Sequence, residues 1–179
     1  MSKIEDLIAA YRRTVAMPWR QNLSGAEKVW FAVYDPTQER RVRLRVEEFA
    51  LATKEAQHKW RLVDITDSFA RWMASHRYRD TYFEEPEKMT LALERYTDTV
   101  TETVKGVLTA NDVDENTVVA VLGAGSLFGL THVSTVIEGA APRVRGRLLV
   151  FFPGHHDGLR YRLLDARDGW NYLAVPITA

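Results

Sequence analysis

Thr117-Val-Val-Ala-Val-Leu122, followed at once by Gly123-Ala-Gly-Ser126, decides the fold. The run is too short for a buried helix, is rich in β-branched residues and has no apolar/polar alternation. A run of that kind bounded by glycine reads as a strand covered on both faces. Strands of that kind belong to parallel sheets held between two helical layers. Outward on the carboxyl side, Leu127, Leu130, Ser134 and Ile137 have helical spacing. Arg147–Phe152 (RLLVFF) is a second buried strand, ended by Pro153-Gly154. Leu159–Leu164 and Asn171–Ile177 read as two strands of a hairpin joined by the turn 165–169. On the amino side, Met89, Leu93, Tyr96, Val100, Val104 and Val107 predict a long helix over Glu87–Leu108. Between Tyr78 and Pro86 the pattern breaks down, with Tyr78, Tyr82 and Phe83 standing among charges.

Further back, Trp60–Ile65 reads as a strand, and Asp67 is placed to cap a short helix facing inward through Phe69, Trp72, Met73 and His76. Val29–Tyr34 (VWFAVY) is a third buried strand. Asp35-Pro36 with Gln38 then gives a helix start, and Val42, Val46, Phe49, Ala50 and Thr53 form its stripe. Met1 to Val15 has helical spacing through Ile4, Leu7, Ile8, Tyr11 and Val15. Strands that alternate with helices predict an α/β three-layer sandwich with a mainly parallel sheet, helices on both faces and a C-terminal hairpin adding antiparallel character.

The chain has 179 residues, which fits one domain over residues 1–179. Its composition, 46% hydrophobic and 27% charged, is that of a globular protein and excludes a disordered or low-complexity chain. With no cysteine, disulfides, thiolate nucleophiles and cysteine-held metal centres are excluded. The net charge is zero, which argues against coating nucleic acid by bulk charge. No apolar run is long enough to span a membrane, so a cytoplasmic location is expected.

Three strand-to-loop junctions fall where parallel sheets bind ligands: Tyr34-Asp35-Pro36, Gly123-Ala-Gly-Ser126 and Pro153-Gly-His-His-Asp-Gly158. The candidate ligand loop is therefore Asp35, Gly123, Gly125, Ser126, His155, His156 and Asp157. Each has a plainer reading. Asp35 is explained as a helix cap. The glycines allow a tight turn, and their spacing misses the dinucleotide fingerprint by one position. The histidines read as exposed loop residues, because adjacent residues seldom both reach one ion. No metal, no cofactor and no catalytic residue is expected. The chain lacks a phosphate-loop lysine, a G-x-S-x-G elbow and an H-E-x-x-H helix.

Charge is nonetheless segregated. Arg143, Arg145, Arg147, Arg160 and Arg162 face a single acid, Asp157, over residues 143–162, whereas residues 84–115 hold nine acids against three bases. Arginine favours bidentate pairing with carboxylate or phosphate. These five arginines are the candidate interaction patch, for a protein surface before a small nucleic-acid patch.

The carboxyl-terminal third resembles the BrxB family of the bacteriophage exclusion (BREX) defence systems. The segments that carry the likeness are Val118-Val-Ala-Val-Leu-Gly-Ala-Gly-Ser126 with Leu127-Phe128, Leu149-Val-Phe-Phe-Pro-Gly154, Asp157-Gly158, Leu159-Arg-Tyr-Arg-Leu163 and Asn171-Tyr172. Val33-Tyr-Asp-Pro36 fits the first strand and cap. About 60 residues match in sequence and the rest by element order. The resemblance implies a small non-catalytic component of an antiphage operon, associated with a PglZ-like phosphatase-fold protein and with other BREX components. It brings no catalytic residues. The competing reading is a nucleotide- or phosphate-binding sensor or enzyme that uses the cleft at the carboxyl ends of the strands.

Overall fold

All the buried apolar runs fall in one sheet. A computed structural model describes residues 3–179. In it β1 (Val29–Tyr34), β2 (Lys59–Asp64), β3 (Thr117–Leu122), β4 (Arg147–Asp157) and, further on, Val175–Ile177 lie in the order β2-β3-β4-β1 with 175–177 at the far edge. Every neighbouring pair in that row is parallel. β5 (Arg160–Leu163) pairs antiparallel with the outer half of β4, and β6 (Trp170–Asn171) pairs antiparallel with β5; residues 175–177 are β7. The fold is therefore an α/β sandwich with a parallel core and antiparallel strands near the carboxyl terminus.

Side chains alternate across a strand, so each strand feeds two cores. One face carries Trp30, Ala32, Tyr34, Val118, Ala120, Leu122, Leu149, Phe151 and Ile177. It is covered by α1 (Lys3–Ala16), α2 (Glu39–Leu44) and α3 (Val46–Glu55) through Leu7, Tyr11, Val42 and Phe49. Tyr11 is fully buried, and its hydroxyl donates to Thr53 Oγ1 at 2.6 Å while Thr53 donates to the Phe49 carbonyl at 2.8 Å, so no polar atom there is left unmatched. The other face carries Phe31, Val33, Val119, Val121, Leu148, Val150 and Phe152. Over it lie the stripe Tyr96, Val100, Val104 and Leu108 of a long helix (Ala92–Leu108) and Val133, Val136 and Ile137 of a shorter one (Val133–Ala140).

Between β2 and the long helix run two more helices, α4 (Ser68–Ser75) and α5 (Arg79–Glu84), which makes the long helix α6 and Val133–Ala140 α7. The crossover that follows β1 uses the α2/α3 face, whereas β4 leads into strands whose Tyr161 joins the opposite core. Neighbouring strands that leave toward opposite faces create the crevice where open parallel sheets take ligands. Here it lies at the carboxyl ends of β1 and β4.

Four expectations need correction. β4 does not end at Pro153-Gly154 but runs on to Asp157, because its outer half finds β5 as a partner. The hairpin thus joins β4 to β5 through Gly158 and Leu159, while β5 meets β6 over only two residue pairs, Arg160↔Asn171 and Tyr161↔Trp170. The last strand instead pairs parallel with β1, as Trp30↔Val175 and Ala32↔Ile177. The helix expected directly after Gly123–Ser126 is one 3-10 turn, Ala124–Leu127, and α7 starts only at Val133. The expected helix over Glu87–Leu108 opens as a 3-10 turn, Pro86–Met89, before α6 begins at Ala92. Met1 and Ser2, counted in the expected first helix, lie outside the described residues.

Candidate functional site

The carboxyl edge of the sheet is occupied by its own side chains. Asp35 caps the 3-10 turn Pro36–Gln38, accepting from the Thr37 N–H at 2.9 Å and from the Thr37 hydroxyl at 2.6 Å. Those hydrogen bonds hold its carboxyl below the usual carboxylate range. Next to it, Tyr34 donates to Glu39 Oε2 at 2.5 Å, and Glu39 Oε1 accepts from Arg43 Nε at 2.8 Å. Arg43 also donates to Thr66 Oγ1 at 2.6 Å and lies 3.5 Å from Asp64. Asp64 in turn accepts from the Thr66 N–H at 3.0 Å. Burial pushes the Tyr34 phenol upward and the Glu39 carboxylate reinforces it, so the hydroxyl stays a donor. Each ionised group in this row already has a partner.

The glycine turn is a packing device. Gly123 has φ +99, a left-handed conformation, and a Cβ there would sit 2.6 Å from Thr66 Oγ1 and 2.7 Å from its backbone nitrogen. At Gly125 a Cβ would lie 3.3 Å from Pro153 Cγ. Ser126 turns its hydroxyl back onto the Gly123 carbonyl at 2.7 Å. With only a four-residue 3-10 turn behind it, this loop offers no long helix dipole to an anion.

The third junction is different. His155, Asp157, Arg160 and Arg162 share one face of the β4–β5 hairpin, since His155 pairs with Arg162 and Asp157 with Arg160. His156 sits on the opposite face, where its ring stacks near Tyr161 at an interplanar angle of 28° and its Nδ1 lies 3.1 Å from the Gly158 carbonyl. Consecutive strand residues point to opposite sides, so the two histidines do not converge on one ion. Among the described residues no group of three or more His, Asp or Glu is placed to hold a metal. Arg167, from the 164–169 loop, closes a cavity of about 370 Å³ with His155, His156, Asp157, Arg160 and Arg162. The hairpin continues from the carboxyl end of β4, beside the crevice.

The expected five-arginine patch divides in two. Arg143, Arg145 and Arg147 lie at the amino end of β4, and Arg160 and Arg162 lie on β5 beside its carboxyl end, opposite Asp157 and His155, roughly 26–33 Å along the strand from Arg147. Arg143 is exposed. Arg145 donates to the Val113 carbonyl at 2.6 Å and pairs with Glu115. Arg147 is not a surface residue: it is 5% exposed, donates to the Arg20 carbonyl at 3.1 Å, and lies 4.8 Å and 5.8 Å from the rings of Trp19 and Trp30. Two indole faces shelter its charge.

Three features escape the sequence reading. Arg167 belongs with the hairpin arginines and comes from a loop read only as a turn. A largely apolar cavity of about 470 Å³ lies between Phe128, Leu130, Tyr161 and Trp170, and the Trp170 indole N–H beside it is buried with no acceptor among the described residues. Residues 76–91 form an excursion that leaves Tyr78, Phe83 and Leu91 exposed at 51%, 69% and 81%. The signal for the last was present, aromatics among charges where helical periodicity fails. No family model, curated protein or solved structure matches this chain.

Proposed function

We propose that this chain is a non-catalytic binding subunit of a prokaryotic antiphage system of the BREX type, acting in the cytoplasm and docking on a PglZ-like phosphatase-fold protein. The observation that carries the binding role is the excursion 76–91. Phe83 and Leu91 are large apolar side chains left in solvent, in a segment that also carries the exposed acids Asp80, Glu84, Glu85 and Glu87. An exposed apolar patch with a charged border is the composition of a protein contact. The non-catalytic part rests on the carboxyl edge, where Tyr34, Glu39, Arg43, Asp64 and Thr66 bond to one another. The BREX assignment rests on the resemblance, whose two strongest segments touch, Gly125 against Pro153.

Coexpression with a PglZ-like protein and affinity capture tests the reading. Phe83→Asp and Leu91→Asp are expected to abolish capture while the melting temperature stays within about 2 °C, since surface changes cost under about 0.5 kcal/mol. Capture unaltered by both changes refutes the docking surface, and phosphoester or nucleotide turnover by the purified chain refutes the non-catalytic role. A second reading, a small nucleotide- or phosphate-binding sensor, is favoured by one observation alone, the arginines around the hairpin cavity.

A further inference from the structure

We propose that the β4–β5 hairpin holds a binding site for a compact phosphate-bearing small molecule, with Arg160, Arg162 and Arg167 as the anion ligands and His155 as a neighbouring ring donor. The site is separate from the 76–91 excursion and does not depend on it. Arg160 and Arg162 are two residues apart on one face of β5, and Arg167 is brought to the same cavity from the loop. None of the three takes part in an ion pair or side-chain hydrogen bond among the described residues, so none is committed to a carboxylate of the chain, and these three unpaired guanidinium groups line one cavity. Asp157 lies directly across from Arg160 in the register without closing an ion pair with it. Like charges gathered on one strand face repel, and a bound counter-anion relieves that repulsion.

The chemistry of three guanidinium groups selects the ligand. Planar forks pair bidentately with phosphate, and several of them around one cavity can share the oxygens of a phosphate or pyrophosphate group. A volume of about 370 Å³ has room for a small molecule that carries such a group. A long polyanion fits less well, because Asp35, Asp157, Asp165 and Asp168 lie in or beside the hairpin and its loop and would repel a phosphate backbone running past the cavity. The hairpin also rises beside the β1/β4 crevice, the edge at which parallel sheets take phosphorylated ligands.

Titration calorimetry with inorganic pyrophosphate, at fixed ionic strength and with the full chain, tests the site. Saturable binding is expected, weakened about tenfold or more by Arg160→Gln and by Arg162→Gln and unchanged by Arg143→Gln at the far end of β4. All three positions are exposed, and matching melting temperatures establish that the variants fold. Line broadening of the pyrophosphate phosphorus resonance by the wild-type chain, absent with Arg162→Gln, gives an independent readout. Absence of saturable binding, or an Arg162→Gln variant that binds like wild type, overturns the proposal. Duplex DNA that binds more tightly than pyrophosphate at equal phosphate concentration, and is lost in the same variants, assigns the arginines to nucleic acid and overturns it as well.

Discussion

Truncating Phe151 to alanine should remove a fully buried aromatic side chain from the α1/α3 face of the sheet. Phe151 is fully buried in the middle of β4, and its backbone pairs with Ala32 of β1. Its ring meets Phe49 edge-on, with centroids 4.9 Å apart at 84°. Its small neighbour Ala32 and the rigid sheet behind it leave little that can move into the space. Loss of transfer free energy plus an unrelaxed cavity comes to roughly 3–5 kcal/mol for such a change, with the edge-on contact a part of that. For a chain of this length each 1 kcal/mol corresponds to about 2–4 °C in Tm, so a fall of roughly 6–20 °C is expected. Urea unfolding followed by circular dichroism should show a lower midpoint with an unchanged slope, since the native surface is preserved. Phe83→Ala, the same chemical change at an exposed position, should stay within about 0.5 kcal/mol of wild type. A Phe151→Ala cost below about 1 kcal/mol would refute the placement of β4 at the centre of the sheet.

Other perturbations probe the turn, the buried arginine and the titrating groups. Gly123→Ala should destabilise by about 2 kcal/mol or more in chemical unfolding, because φ is left-handed and the new methyl meets the Thr66 backbone. Arg147→Glu should cost roughly 3 kcal/mol by setting a carboxylate against the Arg20 carbonyl and two indole faces, while Arg143→Glu should leave the melting temperature nearly unaltered. In acid, Asp114, held at about 2 by the hydrogen bond from Lys59, stays ionised in the fold below the pH at which the unfolded chain takes up a proton. Its contribution is therefore present above about pH 4 and lost as pH falls toward 2, and Asp114→Asn should flatten that limb of a stability–pH curve. In alkali the direction reverses: burial raises Tyr161 to about 12, so stability should decline between about pH 10 and 12, less steeply in Tyr161→Phe.

What could be read from sequence follows from which interactions are local. β1, β3 and β4 announce themselves because both faces are covered, leaving unbroken runs such as VWFAVY and TVVAVL. β7 is read as a strand, within Asn171–Ile177, but with another partner and a greater length, because its parallel pairing along β1 is one that no local pattern encodes. Pro176 is tolerated there because β7 is an edge. The six-residue α5 fails for the opposite reason, being too short to show a stripe and carrying Phe83 outward. At the candidate site, Asp35 and the glycine turn are correctly legible as cap and turn, since those roles rest on neighbours in the chain. Arg147 reads as a surface charge because the indoles that shelter it come from residues 19 and 30.

The division of the arginines follows from the way β4 changes character along its length. From Arg147 to Gly154 every residue is buried, and from His155 onward the strand is exposed or half-buried. The first part can be apolar on both faces because helices cover the parallel sheet; the second has only β5 beside it and must carry polar side chains toward water. Gly154 marks the passage, with no room for a side chain between the Arg162 backbone and the Phe152 ring, which ties the hairpin closely to the sheet. A charge on the inner part, as at Arg147, must be sheltered and becomes structural. The charges of Arg160 and Arg162, on β5 beside the outer part, form no ion pair among the described residues and lie in solvent, clear of the core. β4 thus anchors the sheet at its amino end, and at the other its outer half seats β5, which carries Arg160 and Arg162 in solvent.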